Sequence, residues 1–240
     1  MIAPLFTLAE DPTSRPYARL TGALYLSIAV FGAFAIGYVP SVVVQPDAAE
    51  TLAAIRERSL LFHLGIGADA LVMLIEIVTT AMLFFMFRPV SPVLSAAAAL
   101  ARLSMVAVMA TMLFFQAGLK ALAASGGAPE LAELLLGMHH AGVLIWQLFF
   151  WLHLALLGQL VARSERFPRL LGHALTLGSF GYLLHSLHAF AFPEAELLQI
   201  TRTALLALVS CAEVGFALWM AILGQRPAPA PAARPAGLAA

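Results

Sequence analysis

Apolar residues run through this sequence in long blocks, with charges and turn-formers gathered in the gaps between them. A helix that crosses a bilayer needs ~20 mostly apolar residues, with a range of about 17–25. Six stretches meet that need: 18–40, 60–87, 92–119, 138–162, 169–192 and 200–224. The runs are too long for strands and lack the period-two alternation of a membrane β-barrel. The pattern therefore predicts an all-α polytopic membrane protein, with six transmembrane helices in a single bundle over 18–224. A short N-terminal segment, 1–17, precedes the bundle. A Pro/Ala-rich tail, 225–240, follows it and is expected to be disordered, because it has too little apolar content to build a core.

Composition agrees. Of 240 residues, 62% are hydrophobic and 11% charged, and the mean hydropathy is +0.92. Ordinary soluble domains carry about 25% charged residues, and a soluble surface could not hide this apolar excess. Thirteen Lys and Arg balance thirteen Asp and Glu, so charge gives no sign of a nucleic-acid partner. The one cysteine, Cys211, cannot form an intrachain disulfide. Glu10 and Asp11 interrupt the N-terminus, which does not read as a cleaved signal peptide.

Positive charge sets the expected orientation. With both termini cytoplasmic, the inner side holds Arg15, Arg19, Arg88, Arg163, Arg166, Arg169, Arg226 and Arg234. The outer side then holds Arg56, Arg58, Lys120 and Arg202, an asymmetry that obeys the positive-inside rule. The inner connections FRPVSP and SERFPR are brief, so the second and third spans, and the fourth and fifth, form antiparallel hairpins. In the outer connection PDAAETLAAIRERS, Asp47 with Glu50 three residues on predicts a capped short helix. GGAPELAELLLG is expected to extend the fourth span outward from Pro129.

Four ionisable residues stand within the second, third and sixth spans: Asp69, Glu76, Arg102 and Glu213. Each costs at least ~2.5–3.5 kcal/mol near a bilayer centre and needs a partner or a wet cavity. Asp69 and Glu76 are seven residues apart, about two turns, and share a helix face. Counted from Arg88, Glu76 and Arg102 reach similar depth on adjacent antiparallel helices, which predicts an ion pair. Such a pair reads either as a structural clamp or as part of a polar lining for a ligand or proton. Three acids face one base, so the surplus must be protonated, reach water or bind a cation, which favours a cavity.

The histidines carry the sharper alternatives. In MHHAGVLIWQLFFWLH, residues 138–153, His139, Trp146 and His153 recur every seven residues on one face. Two stacked b-type haems would need the fourteen-residue separation of His139 and His153, with His173 and either His185 or His188 answering from the fifth span beside Gly178 and Gly181. Against this, His153 and His173 differ in depth by about 9 Å at 1.5 Å per residue, and Trp146 fills the space between the haems. A second reading pairs His185 and His188 of HSLH, one turn apart, in a zinc site of a membrane hydrolase. No HExxH-like signature supports it. The plain reading is interfacial and interhelical hydrogen bonding, with His139 and His140 at the outer interface and His153 alone at depth. Met105, Met109 and Met112 read as core filler, and Gly172, Gly178 and Gly181 as small-residue packing.

The runs ARLTGALYLSIAVFGAF, GADALVML, FRPVSP and above all LHLALLGQLVARSERFPRLLGHALTLGSFGYLLHSL resemble the bacterial membrane family catalogued as domain of unknown function 4386. Asp69, Arg88, Arg102, His153, Pro168, Arg169 and Tyr182 fall on positions that recur in that family. The resemblance implies a multi-helix integral membrane protein and supplies no reaction. It also implies that HSLH is no family feature, since relatives favour a small polar residue at the His185 position. The expectation is a multi-pass protein of the bacterial cytoplasmic membrane, non-enzymatic and in contact with the lipid bilayer. It would bind or translocate a small amphiphile or proton, or serve as a membrane-complex subunit. Asp69, Glu76, Arg102, His153 and Glu213 would line the site, without a cofactor.

Overall fold

The computed structural model describes residues 10–226, and among them all regular structure is helical. Helix α1 spans Arg15–Val43. Ser14 caps it by accepting from the Tyr17 amide, and Pro16 lies in its first turn. Over Ala33–Tyr38 its turns widen to π-helical geometry before α-helix resumes at Val39. The expected short helix, α2, is Ala48–Glu57, and the Asp47 carboxylate accepts from the Ala49 and Glu50 amides. Then follow α3 (Ser59–Phe87), α4 (Pro92–Ser125), α5 (Pro129–Arg163), α6 (Arg169–Ala191) and α7 (Glu196–Leu223). Ser91 caps α4, and Gly126 ends it at φ 68°, a left-handed turn that glycine adopts without strain. As predicted, α5 starts at Pro129.

Among the described residues five helices are long and apolar enough to cross a membrane: α1, α3, α4, α5 and α7. The fifth expected stretch, 169–192, is helical as α6, of 23 residues, but does not reach their hydropathy. His173, His185, His188, Thr176, Ser179, Ser186 and three glycines dilute it.

The six long helices form a closed ring. Each packs on the next in sequence, and α1 returns to pack on α7. Small residues let the last joints close. A Cβ on Gly178 would lie 2.7 Å from the Val209 amide nitrogen, and one on Gly181 2.6 Å from that of Leu206, so α6 meets α7 backbone to backbone. Helix α2 lies across one end, over a small core of Leu52, Ile55, Val39, Val43, Leu119 and Ala132. The other end is rich in arginine. There Gln225, expected to begin the disordered tail, is instead buried: its amide donates to Pro12 O and Ser14 O, and its oxygen accepts from Arg166. Of the expected tail, residues 227–240 lie outside the described residues.

The outer face of the ring is apolar, unlike a soluble bundle's, and polar side chains are buried within a mainly apolar core. On α3, Asp69, Glu76, Thr79 and Thr80 are buried, whereas Leu64, Leu71, Leu74, Ile77, Val78 and Phe85 are exposed. Exposed apolar side chains along a whole helix are stable against lipid and not against water.

Candidate functional site

At mid-depth the ring closes around polar side chains, one from each long helix. The centre is Arg102 of α4, fully buried. Its Nε donates to Glu76 of α3 in the predicted ion pair. Its Nη1 lies 3.1 Å from His153 Nε2 of α5, and its guanidinium stacks over the Tyr25 ring of α1 at 4.6 Å. A guanidinium has only donors, so His153 Nε2 must accept. The proton of the neutral ring then sits on Nδ1, which donates to Ala98 O at 2.9 Å. On the far side, Glu213 of α7 accepts from the hydroxyls of Tyr25 at 2.9 Å and of Tyr182, on α6, at 3.3 Å. A cavity of about 230 Å³ lies against this cluster, lined by Tyr25, Glu76, Arg102, Phe150, Tyr182 and Glu213 among others.

Asp69 is not part of this cluster. It shares a face with Glu76, as predicted, but its Oδ2 accepts from Gln116 of α4 at 3.2 Å. The same Gln116 amide lies 3.2 Å from His139 Nε2 of α5. Asp69 Oδ1 is buried without a partner. His139 is thus tied into a half-buried polar triad, while its neighbour His140 is exposed. Above this triad, toward α2, lies a chamber of about 580 Å³. Ala35, Ile36, Val39 and Val43 of α1, Ile55 of α2, Phe62 and Ile66 of α3 and Val143 of α5 give it apolar walls, and Thr51, Gln116, Glu133, His139 and His140 are its polar groups. The π-helical turns of α1 run along its wall, consistent with the habit of such bulges to sit at binding sites.

The haem arrangement meets specific obstacles. His153 has both ring nitrogens engaged, and His173 is exposed on the outside of α6. The glycines expected to admit a flat ligand, Gly178 and Gly181, are filled by the backbone of α7. Among the described residues no three His, Cys, Asp or Glu side chains gather as a metal-holding group. His185 and His188 each keep a buried nitrogen without a partner.

Two participants, Tyr25 and Gln116, were missed from the sequence, and Tyr182 was noted only as a recurring family position and given no place in the site. Tyr25 and Tyr182 hold Glu213, and Gln116 links Asp69 to His139. A scan for charges passes over phenols and amides, although each is a polar group set within an apolar run.

The fold and site thus define a helical protein whose outer surface suits lipid and whose polar groups converge inside. The matching family model covers residues 20–224 and is described as Domain of unknown function (DUF4386). The chain belongs to that family. It is also similar to a protein of the archaeon Archaeoglobus fulgidus described as "Uncharacterized protein". The two are 28% identical over 156 residues, 65% of this chain and 81% of the relative. No solved structure matches the chain.

Proposed function

We propose that this is a six-span, non-enzymatic membrane protein that binds a small amphiphile in the chamber beneath α2. The observation that carries the reading is the chamber itself. Its volume of about 580 Å³ falls in the ~300–1,000 Å³ range of ligand sites, and apolar walls with a few polar groups are what such sites display. An apolar body would fill the space between α1, α3 and α5. One polar end would meet Gln116 and His139, with the free Asp69 oxygen close behind. Ile36, Val44, Gly137 and His140 are exposed at its edge, so entry is from the bilayer or its interface. Transfer across the membrane would extend this binding role.

The six-span reading rests on connectivity. Arg166, just after α5, bonds Gln225, just after α7, so the C-terminal ends of both helices lie together. Helix α6 must carry the chain from that end to the start of α7. Its 23 residues reach about 34 Å, enough for a ~30 Å hydrocarbon core. The arginines at that end favour cytoplasmic termini and a cytoplasmic-membrane location.

The test is saturable binding of dansylundecanoic acid to purified protein in detergent, comparing wild type with Gly137→Phe. A Cβ on Gly137 meets nothing within 4 Å, so a phenyl ring can be set at the chamber's edge without its Cβ displacing a helix. Binding that the variant loses supports the reading; equal binding by both rejects it. A visible spectrum of protein expressed with haem precursor tests the bis-His haem b alternative, which requires a Soret band. Elemental analysis tests the hydrolase alternative, which requires one zinc per chain.

A further inference from the structure

A second site, separate from the chamber, is built around Glu213. Charge accounting at mid-depth is simple. Arg102 is committed to Glu76, and its other bonded donor goes to a neutral His153. Glu213 therefore has no cationic partner; its two contacts are phenol hydroxyls. An unpaired carboxylate in a ring of apolar helices is costly unless it takes up a proton or a positive charge joins it. The cavity of about 230 Å³ beside it supplies room for more than a proton. Its walls combine the Phe150 and Tyr182 rings, packed edge to face at 5.1 Å, with Leu26, Ile28 and Val214.

That combination selects among cations. A hard metal ion wants about six oxygen ligands. Here the oxygens are mostly committed: the two phenols already bond Glu213, Glu76 is paired with Arg102, and the Ser210 hydroxyl donates to Leu206 O of its own helix at 2.8 Å, so few are free to ligate a metal among aromatic and aliphatic walls. An ammonium group carrying apolar substituents fits better, because aromatic faces and a carboxylate attract it while its substituents meet the aliphatic wall. The way in is also visible. Helices α1 and α7 touch closely where Gly22 meets Ala221. Further along, Ala29 on α1 and Ser210 and Val214 on α7 border the cavity and are exposed.

We infer that the Glu213 cavity is a binding site for a small organic monocation, a substituted ammonium, which enters sideways from the membrane between α1 and α7. Full-length protein in nanodiscs is titrated with benzyltrimethylammonium and with neopentylbenzene, its uncharged isostere, against empty nanodiscs. The expected result is saturable one-to-one binding of the cation, at least tenfold tighter than the isostere. Glu213→Gln should weaken it at least tenfold. Ser210→Phe, which adds bulk only at the exposed lip, should block it without touching a buried group. Gly137→Phe should leave it intact, so the chamber and this site fail or succeed separately. Equal binding of cation and isostere overturns the inference, as does unchanged affinity in folded Glu213→Gln and Ser210→Phe.

Discussion

Arg102 shows how one side chain organises the interior. It meets Glu76, His153 and Tyr25, which come from three other helices. Removing one partner of a buried pair typically costs about 3–5 kcal/mol, because the remaining charge stays buried and alone. Arg102→Leu is therefore expected to lower the melting temperature in detergent sharply, and the double variant Arg102→Leu, Glu76→Leu should recover much of the loss. A double variant no more stable than the single would show that Arg102 acts by packing alone. The Glu76–Arg102 pair was legible in the sequence, because a short loop fixes the depth of both residues. The neighbourhood of Asp69 was not. A seven-residue spacing gives a shared face but says nothing of which side chain on the next helix reaches it, and that turned out to be Gln116. For the same reason His153 was recognisable as the histidine at depth, but its partner was not named in advance.

At the scale of elements, the boundaries followed from punctuation that has a physical cause. Asp47 and Ser91 cap, Pro129 starts and Gly126 ends the helices around them. The chamber had no such signal. It lies where the turns of α1 widen to π-helical geometry and α2 roofs the gap, and neither feature leaves a periodic mark. The glycines of α5 and α6 divide by what they face. Gly178→Val should destabilise the α6–α7 joint, since its Cβ would press on the Val209 backbone, and overpacking costs about 1–3 kcal/mol or more. Gly137→Phe, facing open space, should leave the melting temperature unchanged or raise it, because glycine is a poor residue for a helix interior. Equal melting of the two variants would contradict the close approach of α6 to α7.

For the whole molecule, the arrangement is a ring with lipid-compatible exterior and polar clusters set in an apolar core, and its orientation is open to direct test. In a Cys211→Ala background, single cysteines at Ser125 and Glu194 should react with a membrane-impermeant maleimide added to intact cells. Cysteines at Pro89 and Glu165 should react only after the membrane is opened. All four positions are exposed, so protection would report sidedness and not burial. If Glu165 and Glu194 labelled from the same side, α6 would not cross.

The chamber remains the feature on which the functional reading turns. Native mass spectrometry of protein gently extracted from its own membrane compares wild type with Gly137→Phe. The wild type should carry a bound amphiphile of defined mass that collisional heating removes, and the variant should fly without it. The same occupancy in both proteins, or no adduct on either, would contradict an amphiphile-binding chamber beneath α2.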